Sequence, residues 1–227
     1  MYRILGKPRS IASLPSLEID ISEARKAQRI LIIDDNYATF ELGKTFTKFG
    51  YYVREVEDLS DWESVKAYTI LVVDINGVGK QLGLKDGAAL INQVNRISPM
   101  LPVVAFSAND HRLNLLSGCK VAAILKKDLD IEEWIKKLDE ISTSQSNPIV
   151  QWKTTRNTLL DRGFPLTDLI RLEDKFVQEV SKRKDISGFR DFIDSNSLKF
   201  DEGNKKILIS LCEIAAKTYA AWRAING

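Results

Sequence analysis

Between residues 29 and 125 the chain keeps returning to one pattern, a short run of apolar, mostly β-branched residues stopped by a polar side chain. Ile30-Leu31-Ile32-Ile33 stops on Asp34-Asp35, and Ile70-Leu71-Val72-Val73 stops on Asp74 before opening into Ile75-Asn76-Gly77-Val78-Gly79. Val103-Val104-Ala105-Phe106 stops on Ser107, and Val121-Ala122-Ala123-Ile124-Leu125 on Lys126-Lys127. Runs of this length and composition read as strands buried on both faces, which is the habit of parallel sheets. Tyr51 to Val56 alternates instead, like an edge strand.

The segments between these runs have helical spacing. Residues 37–49 place Phe40, Leu42, Phe46 and Phe49 three and four apart, with Gly50 in a C-cap position. Ser60 to Tyr68 reads as a short helix capped by Ser60 or Asp61, Ala88 to Ile97 as a helix through Leu90, Ile91 and Val94, and Asn109 to Leu116 as a polar helix. Asp130 caps a helix carrying Ile131, Trp134, Ile135, Leu138 and Ile141. Five β-α units in succession imply an α/β doubly wound parallel sheet with right-handed crossovers. The flavodoxin-like strand order 2-1-3-4-5 is the natural arrangement, followed by a small all-α module.

In such sheets the carboxyl ends of the strands form the ligand-binding rim. Taken alone, Asp74 reads equally as a strand-ending turn former or a reactive group. In order 2-1-3-4-5, however, the ends of strands 1, 3 and 4 meet at one crevice and a lysine enters from strand 5. Asp34, Asp35 and Asp74 would repel one another there unless a cation sat among them, and a hard, oxygen-liganded ion such as Mg2+ suits that set. With the metal held by Asp34, Asp35 and Asp74, the Asp74 carboxylate is placed to attack a phosphoryl group, with Ser107 and Lys126 binding its oxygens. The apolar run ending at Leu125 favours Lys126 as the site lysine; a register slipped by one residue would make it Lys127.

The acid pair Asp34-Asp35, Asp74 with Asn76 two residues on, the Ser107-Ala108 pair and Lys126 resemble the receiver domain of bacterial response regulators over residues 29–141. The resemblance implies a two-component phosphoacceptor, phosphorylated on Asp74 by a histidine kinase or phosphotransfer protein, with the backbone carbonyl of Asn76 completing the Mg2+ shell. It implies a signalling protein rather than an enzyme. Two features depart from the family pattern. Lys127 stands where proline usually follows the lysine, and Ala123 stands where an aromatic switch residue is usual. The loop after Asp74 is longer than usual, and its glycines at 77, 79, 83 and 87 suit either a cover for the site or a mobile segment.

Composition narrows the alternatives. A single histidine, His111, and two scattered cysteines, Cys119 and Cys212, do not furnish a zinc site or a Ser-His-Asp triad. His111 itself reads as a solvated helix residue or a pH-sensitive contact. Lys and Arg number 33 against 31 Asp and Glu, with no long block of one sign, so neither a membrane nor nucleic acid is indicated as a partner. A reduced, cytoplasmic protein is expected.

Residues 1–28 read as an irregular arm ending in a short helix, and the Ser/Thr/Asn-rich stretch 142–149 reads as a linker. Residues 150–227 read as helices, the last carrying Ile207, Leu208, Leu211, Cys212, Ile214, Ala215, Tyr219 and Trp222 on a wide apolar face. That face suits a bundle core or a dimerisation helix. No basic recognition helix stands out, so a DNA-binding output is unsupported. Asp174-x-x-x-Gln178 has the spacing one group of receiver phosphatases uses to orient water, a pattern that a charged helix face matches easily.

Overall fold

A computed structural model describes residues 7–14, 18–36, 41–108, 114–182, 187–194, 201–205 and 207–209. The chain divides into two compact units, Asp20–Thr143 and the combination of Met1–Ile19 with Ser144–Gly227.

The first unit contains a five-stranded sheet in the order β2-β1-β3-β4-β5. Its strands are β1 (Arg29–Ile33), β2 (Tyr52–Val56), β3 (Ile70–Asp74), β4 (Val103–Ser107) and β5 (Ala123–Lys126). Every neighbouring pair is parallel, as the apolar runs imply. Side chains alternate across the sheet and build two cores. Ile30, Ile32, Ile70, Val72, Val104 and Phe106 belong to one, with Leu42 and Phe46 of α2 (Leu42–Lys48) and Trp134, Ile135, Leu138 and Ile141 of α4 (Ile131–Ser146). Leu31, Ile33, Leu71, Val73, Val103 and Ala105 belong to the other, with Leu90, Ile91 and Val94 of α3 (Gly87–Ile97). Trp134 is 1% exposed, with Phe46 and Phe106 at centroid distances of 5.9 and 5.6 Å.

Several boundaries differ from the sequence reading. The 60–68 helix shrinks to a 3-10 turn at Ser64–Ala67, whose Ser64 N–H donates to the Asp61 carboxylate at 2.7 Å. Most of the polar helix expected at 109–116, His111 included, lies outside the described residues; Asn114–Leu116 form one 3-10 turn.

The arm expected over 1–28 is two things. Asp20 caps α1 (Ile21–Lys26), which belongs to the sheet unit through Arg25, whose guanidinium donates to both Asp139 carboxylate oxygens at 2.7 and 2.6 Å. Residues 9–11 instead bond to α6 (Leu166–Lys182) of the helical unit.

The expected 142–149 linker is helical almost throughout. α4 runs to Ser146, where the Ser142 hydroxyl donates to Leu138 O at 2.6 Å, and α5 (Pro148–Asp161) starts at once. Asn147 caps α5 by accepting from the Ile149 and Val150 amides, with Pro148 in the first turn, where its missing N–H costs nothing.

In the helical unit, Trp152 of α5 stacks on Phe176 of α6 at 5.0 Å, and Phe176 meets Phe189 of α7 (Ser187–Asp194) edge-on at 5.9 Å. Ile11, Leu169, Leu172, Ile193 and Leu208 also belong to this core. The final helix expected from Asp201 to Ile225 is described only through its start, and Leu211, Cys212, Ile214, Ala215, Tyr219 and Trp222 lie outside the described residues.

Candidate functional site

Register brings the strand ends together. Ile33 pairs with Val73, so Asp34 and Asp74 follow side by side on adjacent strands, and Asp74 pairs with Phe106, one residue before Ser107. Asp34, Asp74 and Ser107 are all buried, at 1, 2 and 2% exposure, whereas Asp35 is exposed. Carboxylate oxygens of Asp34, Asp35 and Asp74 lie within 4.8 Å of one another. The Asp34 and Asp74 carboxylates each accept from the backbone N–H two residues on, Asn36 and Asn76, at 3.0 Å.

The lysine at this corner is Lys127. Its ammonium lies 2.7 Å from Asp74 Oδ2 and donates to both oxygens of Asp34 at 3.1 and 3.2 Å, 5.1 Å from the centroid of the Phe106 ring. Lys126, selected from the sequence, pairs in register with Ser107 but is exposed. The correction has a simple cause. β5 is an edge strand whose burial alternates, with Leu125 buried between exposed Ile124 and Lys126, so the next inward side chain is that of residue 127. The Lys127 N–H also donates to Ser107 O at 3.1 Å, continuing the strand pairing. With Lys127 in this place, the following residue is Asp128 and the residue three before it is Ile124, 45% exposed, so neither the proline nor the aromatic of the family pattern is restored.

Charge at the corner is strongly coupled. Burial pushes the Asp74 carboxyl above the ordinary carboxylate range and the Asp34 charge adds to this, while the Asn76 amide and Lys127 oppose it. Burial works against the Lys127 charge, yet its bond to Asp74 and the charges of Asp74 and Asp34 outweigh burial and hold its pKa above the usual value.

The donor set fits a hard divalent cation. Three carboxylates cluster here with the Lys127 ammonium against two of them, and among the described residues the buried Asn76 Oδ1 has no hydrogen-bond partner, leaving an oxygen acceptor to spare beside the acids. The Asn76 amide nitrogen donates to Ser107 Oγ at 3.2 Å, joining the ends of β3 and β4, a link the sequence reading did not anticipate.

Gly77, one of the loop glycines read as suiting a cover for the site or a mobile segment, lies against Asp35. It has φ +75°, and a Cβ added to it would lie 1.6 Å from Asp35 Oδ2, so any larger residue would force the Asp35 carboxylate to shift from its present place.

Other sequence candidates lie elsewhere. Asp174 of the Asp174-x-x-x-Gln178 spacing is buried at 4% exposure, and its carboxylate accepts from the Arg9 N–H at 2.7 Å. Cys119 is half-buried, and no helix among the described residues is long and apolar enough to cross a membrane.

No protein-family model matches the chain, and no curated protein matches it in sequence. Solved structures do match part of it. The chemotaxis response regulator CheY4 of Vibrio cholerae is 17% identical, covering 50% of this chain and 98% of its own, with a TM-score of 0.42. The receiver domain of NtrX from Brucella abortus is 20% identical over 50% of this chain and 97% of its own, with a TM-score of 0.42. The non-phosphorylated HemR receiver domain from Leptospira biflexa is 20% identical over 51% of this chain and 94% of its own, with a TM-score of 0.41. By its own strand order the first unit has the flavodoxin-like fold, and the three solved structures named are a chemotaxis response regulator and two receiver domains.

Proposed function

We propose that the protein is a response regulator of a two-component phosphorelay, accepting a phosphoryl group on Asp74. The observation that carries this reading is the corner itself, where the Asp34, Asp35 and Asp74 carboxylates cluster, the Lys127 ammonium bridges Asp34 and Asp74, and Ser107 ends the neighbouring strand. Asp34, Asp35, Asp74 and the backbone carbonyl of Asn76 would hold Mg2+, which would supply positive charge to offset that on the transferred phosphoryl group.

The chain's own residues supply the rest. A carboxylate oxygen of Asp74 attacks phosphorus, the bond to the donor's bridging atom breaks, and its electron pair leaves with the donor. Lys127 and the Ser107 hydroxyl bind the phosphoryl oxygens, and burial of Asp74 keeps bulk water from diluting these interactions. The physiological donor would be a histidine kinase or phosphotransfer protein. The helical unit would carry the signal to a partner or to a second copy of the chain. The chemistry is that of a phosphoacceptor signalling protein working in the cytoplasm, with no turnover of an external substrate beyond its own phosphorylation and dephosphorylation.

A second reading is favoured by Ile124 and Asp128, which stand where the family's switch aromatic and proline are found. It is a receiver-like scaffold that keeps the acids but serves as an interaction surface. Incubation with Mg2+ and a small acyl phosphate, followed by intact-mass measurement, separates the two. The phosphoacceptor gains one base-labile phosphoryl group that Mg2+ removal abolishes; the scaffold gains none under conditions that load an ordinary receiver.

A further inference from the structure

We infer that Asp58 is a positioning residue for the cation pocket, pinning the long loop after Asp74 so that Gly77 makes room for Asp35; the inference rests on the phosphoacceptor reading above. Asp58 follows β2 and lies outside the acid cluster. Its carboxylate accepts from three backbone amides, Leu59 at 2.8 Å, Gly79 at 2.6 Å and Gln81 at 3.0 Å. Two of these amides belong to the loop after β3, so one side chain ties the β2 rim to the β3 rim.

Gly79 is the node of that loop. While its amide donates to Asp58, its carbonyl accepts from Leu82 at 3.2 Å and Leu84 at 2.9 Å. It takes φ +88°, a conformation glycine adopts without strain. Fully buried Val78 precedes it, and nearly buried Leu59 adjoins Asp58 in the same core, so both ends of the contact rest on packed side chains. The loop's far end is closed by the Gly87 N–H donating to Ile75 O at 3.0 Å. The loop is therefore ordered by an acceptor outside itself.

Gly77 lies two residues before the pinned amide, and the space where its Cβ would be is filled by the Asp35 carboxylate. Moving Gly77 changes the space open to Asp35, whose exposed carboxylate lies against this glycine and within 4.8 Å of the Asp34 and Asp74 oxygens. Residues that orient ligands from outside the coordination shell cost about 10- to 100-fold in metal affinity when removed.

The test is calorimetric titration of full-length protein with Mn2+, beside amide exchange at Gly79 and Gln81, for wild type, Asp58→Asn, Asp58→Ala and Asp61→Ala. Asp61→Ala removes a comparable carboxylate-to-amide bond, to Ser64, away from the loop. The inference predicts roughly 10-fold weaker Mn2+ binding with faster Gly79 exchange in Asp58→Ala, at the low end of the range for supporting residues. Asp58→Asn, which keeps one acceptor oxygen, falls between, and Asp61→Ala binds as wild type. Wild-type affinity in Asp58→Ala, or an equal loss in Asp61→Ala, overturns the inference alone. No Mn2+ binding by wild type overturns the phosphoacceptor reading and the inference with it.

Discussion

Replacing Lys127 by methionine keeps most of the apolar stem and removes the ammonium, leaving Asp34 and Asp74, at 1 and 2% exposure, as buried carboxylates without their cation. The ammonium bridges both acids, and a hydrogen bond to a charged group contributes about 1.5–3 kcal/mol. Lys127 keeps 20% of its side chain exposed, so screening trims the sum, and a loss of about 2–4 kcal/mol in metal-free buffer at neutral pH is the consequence. Lys126→Met, on the exposed side of the same strand, should change stability by no more than about 0.5 kcal/mol.

Urea unfolding of the full chain, followed by far-ultraviolet circular dichroism with and without Mg2+, measures both. Mg2+ should recover part of the Lys127→Met loss, because the ion supplies the missing positive charge. In a cycle with Asp74→Asn the double variant should be more stable than the sum of the two single effects implies, by at least about 1 kcal/mol for groups in direct contact. The reasoning is refuted if Lys126→Met costs as much as Lys127→Met, or if the Lys127 and Asp74 losses simply add.

Three further outcomes follow from other parts of the molecule. Gly77→Ala pushes a methyl group into the Asp35 carboxylate, so Mn2+ affinity should fall about 10-fold or more while far-ultraviolet spectra stay unchanged; retained affinity would contradict the described wall. Asp139 is held below the ordinary carboxylate range because, against burial, it accepts from Arg25 and from the Tyr51 hydroxyl at 2.5 Å. A lowered folded-state pKa gives stability that is present above the unfolded value and lost as pH falls through the folded one. Asp139→Asn should therefore cost about 1–3 kcal/mol at pH 7, with the gap from wild type closing in acid; a gap independent of pH refutes the pairing. Deleting residues 1–13 strips Glu173 of its bonds from Ser10 and the Ile11 N–H and uncovers the pocket of Ile11. The helical unit should lose about 2–4 kcal/mol by urea unfolding, and an unchanged midpoint would show the segment to be dispensable.

The sheet was legible because burial on both faces leaves unbroken apolar runs, and because those runs end in order on Asp34, Asp74 and Ser107. The fifth run was misleading for the same reason. Val121 to Leu125 looks continuous, but β5 lies at the edge, where alternation governs, and the site lysine moves from 126 to 127.

At 142–149 the serines that suggest a flexible linker are held in a helix by bonds such as Ser142 to Leu138 O, although the division between the two units falls within this stretch, at Thr143 and Ser144. Asp58 and Glu173 left no sequence signal. Each accepts from at least one backbone amide distant in sequence, Gly79 for Asp58 and Ile11 for Glu173, and an amide carries no residue identity to read. Gly77 was visible as a loop glycine, but its pairing with Asp35 is a matter of tertiary clearance.

The central claim is that Asp74, among three neighbouring carboxylates, is the one that takes the phosphoryl group. Borohydride reduction after loading with a small acyl phosphate and Mg2+, followed by peptide mass mapping, marks the acylated side chain directly. The account predicts modification confined to Asp74 and absent from Asp74→Asn; modification of Asp34 or Asp35, or of none of the three while an ordinary receiver treated alongside is labelled, would contradict it.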